Sequence, residues 1–102
     1  MKGLIPMKQI STNKAPAAIG PYSQAIISGN ILFCSGQVPL DPETGAIPEG
    51  VGAQAGQALT NVKNLIESAG GKIDNVVKTT VFIKDMDDFG KINEIYAKYF
   101  TE

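Results

Sequence analysis

Histidine and arginine are both missing from this chain. Without histidine, the side chain that most often moves protons near neutral pH is gone, so an acid–base step falls to a carboxylate, tyrosine, lysine, cysteine or bound water. Without arginine, no planar fork can hold a carboxylate or phosphate through two parallel hydrogen bonds. One cysteine, Cys34, and no histidine cannot build the usual zinc ligand sets. A lone cysteine also excludes an intrachain disulfide. It reads as a small buried hydrophobe within Ile31-Leu32-Phe33-Cys34-Ser35, with no cation beside it to activate the thiol. No apolar run approaches membrane-spanning length. Basic residues number 9 and acidic residues 10, scattered along the chain, so there is no cationic stripe for a nucleic-acid backbone.

What is present suits one globular unit. The chain has 102 residues, 43% of them hydrophobic and 19% charged, enough for one domain and too few for two. A core of that size is modest, and self-association is a natural supplement. Residues 1–6 read as a leader, too short and weakly apolar for a signal peptide. Residues 7–102 read as a single domain.

The pattern predicts strands over 7–12, 24–28 and 31–35, the last two joined by a tight hairpin at Gly29-Asn30. Pro16, Gly20 and Pro21 make 13–22 an irregular extended loop. Pro39, Pro42, Gly45, Pro48 and Gly50 do the same for 38–50. Ala55, Ala58, Leu59, Val62, Leu65, Ile66 and Ala69 predict a helix over 51–69, with Gln54, Gln57, Asn61 and Asn64 on its polar face. The β-branched run Asn75–Ile83 predicts a fourth strand. Asp85, Asp87 and Asp88 cap a second helix over 88–100, a role that fits them better than metal binding. The order β-β-β-α-β-α packs most simply as a sheet covered on one face by two helices.

Two segments carry the candidate site. Ala15-Pro-Ala-Ala-Ile-Gly-Pro-Tyr-Ser-Gln24 delivers Tyr22 from a restrained lead-in, and Cys34-Ser-Gly-Gln-Val-Pro39 ends a strand at Ser35-Gly36. Tyr22 is either a pocket wall with a hydroxyl for substrate or water, or a loop tyrosine packed on its neighbours. Ser35-Gly36 is either a place where a ligand approaches the backbone N–H, or a plain strand-ending turn. Asn93 either points its amide into a pocket or is solvated.

Together with Lys78-Thr-Thr-Val-Phe-Ile-Lys-Asp85 and Asn93–Phe100, these segments resemble the Rid family, also called YjgF-type or reactive-intermediate deaminases. The resemblance runs from Met7 almost to Glu102. It implies an α+β, chorismate-mutase-like fold: a mixed sheet with two helices on one face, assembled as a homotrimer with pockets between subunits. It implies hydrolysis of 2-imino and enamino acids, such as 2-iminobutanoate and 2-iminopropanoate, to 2-oxo acids and ammonia, in the cytoplasm and without metal or organic cofactor. By position, Tyr22 is the catalytic pocket residue, Ser35 and Gly36 meet the substrate carboxylate, and Asn93 sits at the pocket edge.

Members of this family continue past the second helix into two further strands. One bears an arginine for the carboxylate, the other a glutamate for the water. The chain carries neither, so the resemblance implies a domain incomplete at the C-terminus with impaired deaminase activity. The alternatives are a non-catalytic member that binds small acids or a partner protein, and, less supported, a ribonuclease.

Overall fold

Three short strands and two helices make up the ordered framework in a computed structural model that describes residues 7–20 and 22–101. The expected leader over 1–6, the Pro21 restraint and Glu102 lie outside the described residues. Strand β1 is Met7–Ile10, β2 is Ala25–Ser28 and β3 is Ile31–Cys34. They form one antiparallel sheet in the order β1-β2-β3. Helix α1 is Val51–Ser68 and α2 is Phe89–Tyr99. The fold is α+β, as expected; the sheet among the described residues is antiparallel throughout, not mixed, because the strand expected over 75–83 joins no ladder.

The β2–β3 hairpin turns where the sequence says it should. Ser28 pairs with Ile31, leaving Gly29 and Asn30 as the two-residue turn. Gly29 takes a φ of 64° while Asn30 does not enter the left-handed region, the glycine-first pattern of a II′ turn. Strand alternation then sorts the side chains. Ile10, Ala25, Ile27 and Leu32 meet Ala15, Leu65 and Ala69 in the core. Ile26, Ile31 and Phe33 take the opposite face, where Ile26 stands across from Phe33, and Ile31 and Phe33 are exposed.

Helix α1 lays Leu65 and Ile66 inward, and α2 packs on α1. The Tyr99 hydroxyl joins the helices, 2.7 Å from Thr60 Oγ1 and 3.2 Å from the Gly56 carbonyl it donates to. Gly52 leaves room for the Lys91 stem, which would lie 3.1 Å from a Cβ there. Asn61, expected on the polar face of α1, is instead fully buried at 0% exposure. It stands one turn before Leu65 and so shares its inward stripe. Of the three aspartates, Asp85 does the capping: its Oδ1 accepts the Asp87 N–H at 3.0 Å and starts a short 3-10 turn over Met86–Asp88. Asp88, at the N-cap of α2, makes no side-chain capping bond.

The strand predicted over 75–83 is not formed. A 3-10 turn covers Ile73–Asn75, and the chain beyond it belongs to no ladder. Val77 is 98% exposed and Phe82 94%. β propensity records how well a side chain fits a paired, half-buried surface; among the described residues nothing pairs with this run. The Thr79 and Tyr96 hydroxyls meet at 2.7 Å and link the run to α2. Cys34 also departs from expectation. It is exposed, because β3 is the sheet's edge and no strand among the described residues lies beyond it. Burial of part of the thiol's surroundings still pushes its pKa up from the ordinary value.

No helix among the described residues is long and apolar enough to cross a membrane.

Candidate functional site

Ladder pairing between β2 and β3 continues beyond both strand ends. The Ser35 N–H donates to the Gln24 carbonyl at 2.9 Å, and the Ser35 hydroxyl donates to the Ser23 carbonyl at 2.6 Å. These bonds bring Ser35-Gly36 alongside Tyr22-Ser23. The Ser35 hydroxyl spends its one hydrogen on Ser23 and keeps only lone pairs for anything else. The Gly36 N–H makes no hydrogen bond to a described residue, and a Cβ at Gly36 would meet no atom within 4 Å. Its glycine is therefore not required by crowding from the described residues. An open donor and an open approach remain at the strand end.

Tyr22 is 52% exposed. Its N–H donates to the Gly20 carbonyl at 2.8 Å, and its ring edge would lie 3.4 Å from a Cβ at Gly20. A methyl group there would meet the ring at ordinary van der Waals distance. On the β1 side of Tyr22 lies an open pocket of about 290 Å³. Its walls are the end of β1, the loop through Thr12, Ala17 and Ala18, and Tyr22 with Ser23. Ser35 and Gly36 do not line this pocket. They lie on the other, β3 side of the Tyr22-Ser23 segment, which forms the shared partition.

Asn93 is exposed on α2, whose packing partner is α1. Among the described residues, no contact gathers it with Tyr22 and Ser35.

Two buried amides were not singled out from the sequence, and both hold loops beside the site. Gln24 bonds the loop from Thr12 to Pro16. Asn61 donates to the Val38 and Leu40 carbonyls, each at 2.9 Å, and accepts from Gln57 Nε2 at 2.9 Å. It thereby fixes the chain that leaves Gly36. Helical spacing with Leu65 was the signal for Asn61. For Gln24 the signal was a polar residue next to the apolar run Ala25-Ile-Ile. Gln37 donates to the Ser35 carbonyl at 3.1 Å, while its Oε1 is enclosed and has no partner among the described residues.

The model of the Endoribonuclease L-PSP family matches residues 12–102. This chain belongs to that family. The L-PSP family is the YjgF or Rid group that the sequence motifs resemble. The 2-iminobutanoate/2-iminopropanoate deaminase of Salmonella typhimurium is 54% identical over 95 residues, which are 93% of this chain and 74% of the relative. Among solved L-PSP-type structures, the YjgF gene product of Escherichia coli superposes with a TM-score of 0.89 at 52% identity, covering 92% of this chain and 74% of that one. The E. coli protein TdcF with bound serine gives a TM-score of 0.90 at 47% identity, with the same coverage of 92% and 74%. The chain thus spans about three quarters of these relatives.

Proposed function

We propose that this protein hydrolyses reactive 2-imino acids such as 2-iminobutanoate and 2-iminopropanoate to the 2-oxo acid and ammonia. The observation that carries this reading is the open Gly36 N–H, carried alongside the Tyr22-Ser23 segment by the two bonds of Ser35. The relatives' deaminase name supports the reaction class.

An imine carbon is already electrophilic. A water oxygen adds to it, a proton passes to nitrogen, the C–N bond breaks, ammonia leaves and the carbonyl forms. The site's contribution is orientation of one acid and one water. The Gly36 N–H takes a carboxylate oxygen, in the manner of other open backbone donors. Ser35 holds that strand end by its bond to Ser23. The Tyr22 hydroxyl orients the water or the departing nitrogen. The exposed amide of Asn93 is available to the edge of a pocket shared between subunits. No metal or organic cofactor is needed for an addition to so activated a carbon.

The same reading includes a homotrimer, supported by the uncovered face that carries Ile26, Ile31 and Phe33. It places the work in the cytoplasm, where a single free thiol stays reduced. Without arginine the carboxylate grip is weaker, and turnover is expected below that of relatives that supply one; a lost charged hydrogen bond costs about 1.5–3 kcal/mol.

The test is ammonia release from freshly generated 2-iminobutanoate. Acceleration over buffer that falls with Tyr22→Phe supports the reaction. No acceleration, with ligand-induced stabilisation by L-serine retained, would replace it with the second reading, a non-catalytic acid-binding member. Serine bound to TdcF favours that reading. RNA cleavage has the least support, because the chain lacks histidine and carries a net charge of −1.

A further inference from the structure

We infer that Gln24 is the positioning residue for Tyr22: its carboxamide ties the Thr12–Pro16 loop to the segment that presents Tyr22 to an acid held at the Gly36 N–H. The inference rests on the acid-binding reading above.

Gln24 is 4% exposed. Its Oε1 accepts the Thr12 N–H at 2.7 Å, and its Nε2 donates to the Thr12 carbonyl at 3.0 Å. The side chain thus pairs with the Thr12 peptide much as a neighbouring strand would, one step beyond the last β1–β2 pair, Ile10 and Ala25. The same nitrogen reaches the Pro16 carbonyl at 2.8 Å and the Ala15 carbonyl at 3.3 Å. Two hydrogens serve three carbonyls, so one is shared.

Thr12, Ala17 and Ala18 form one wall of the pocket, and Tyr22-Ser23 form another. The chain of Gln24 is continuous with the second wall, and its side chain is bonded to the first. This amide therefore bridges the two walls, beside the packing of Ala15 against the core that includes Ala25. Among the described residues, the Thr12–Pro16 stretch also accepts a 2.8 Å side-chain hydrogen bond from Asn64 Nδ2 at the Lys14 carbonyl. An anchor on α1 holds the loop down on the helix and leaves its distance from Tyr22 open.

A carboxamide has a donor end and an acceptor end, whereas a carboxylate only accepts. In Gln24→Glu the ionised group faces three carbonyl oxygens in a buried place. Both desolvation and the carbonyls favour the neutral acid, so the introduced carboxyl titrates above its ordinary value. At low pH the protonated acid restores one donor and one acceptor. As pH rises through the raised value, the brace is lost.

The experiment measures L-serine affinity and the backbone amide NMR signals of the same folded samples at about pH 5 and about pH 8, on either side of the shifted titration. Gln24→Glu is expected to bind L-serine about tenfold more weakly than the unsubstituted chain at the higher pH and to recover at the lower. The Thr12, Ala17, Ala18 and Tyr22 amides should shift together over the same range. Gln24→Asn, neutral but one methylene shorter, is expected to lose affinity to a similar degree at both pH values, and it serves if the carboxylate form fails to fold. Tyr99→Phe, which weakens the helix pair instead, should lower stability without changing serine affinity.

Unchanged affinity in folded Gln24→Glu and Gln24→Asn would overturn the inference and leave Gln24 as a structural brace. No serine binding by the unsubstituted chain at either pH would defeat the acid-binding reading itself. Gln24 as the bridge between the two walls would then stand or fall on the concerted amide shifts.

Discussion

The Ser35 hydroxyl donates to the Ser23 carbonyl at 2.6 Å and ties the end of β3 to the residue that follows Tyr22. That bond makes two motifs twelve residues apart into one corner. Ser35→Ala deletes it. The expected loss is about 1 kcal/mol of unfolding free energy, read by urea titration, together with weaker L-serine binding. Unchanged stability and binding would separate the two motifs.

Gly36 offers a cleaner separation of stability from recognition. An added methyl group meets nothing within 4 Å, and the backbone there is not in the left-handed region. Gly36→Ala should leave stability within about 0.5 kcal/mol of the starting value while reducing affinity for small acids, because the methyl occupies the approach to the N–H. Calorimetry of the variant with and without L-serine checks both halves.

Asn61 is expected to be among the costly positions of α1. Asn61→Leu removes the donor from two carbonyls, Val38 and Leu40. Each carbonyl left dry and unpaired costs about 1–3 kcal/mol. A denaturation midpoint equal to that of the unsubstituted chain would show that water replaces the amide.

Cys34 should behave as an accessible but sluggish thiol. Desolvation raises its pKa, so less thiolate is present at a given pH than in an ordinary exposed cysteine. Alkylation by iodoacetamide should therefore be slow at neutral pH and climb as pH passes the ordinary thiol range. Unfolding in urea removes the desolvation and should speed the reaction near neutrality. A folded protein that reacts faster than the unfolded one would contradict the shift.

The run from Val76 to Ile83 marks where sequence reading and structure part. Its β-branched composition was legible; its partner was not, because pairing depends on what lies beside a segment and not on what it contains. Phe82→Ser should therefore change stability by less than about 0.5 kcal/mol, and the amides of this run should exchange rapidly with solvent. Slow exchange would mean that the run is paired in solution.

Elsewhere the chain was more readable. Gly29-Asn30 announced the hairpin, and the apolar spacing around Leu65 announced α1. The motif around Tyr22 and the Ser35-Gly36 strand end were visible as segments, and their adjacency required the hairpin register. The buried amides were hardest to foresee. Gln24 and Asn61 are polar by type, and only the loops folded against them give a reason to bury them.

The site at the centre of this account is tested most directly by mapping amide shifts during titration with 2-oxobutanoate, a stable product of the proposed reaction. The largest changes are expected at Gly36, Tyr22 and the Thr12–Ala18 loop, with saturation. Changes confined to the outer face of α2, or none at all at saturating ligand, would contradict it.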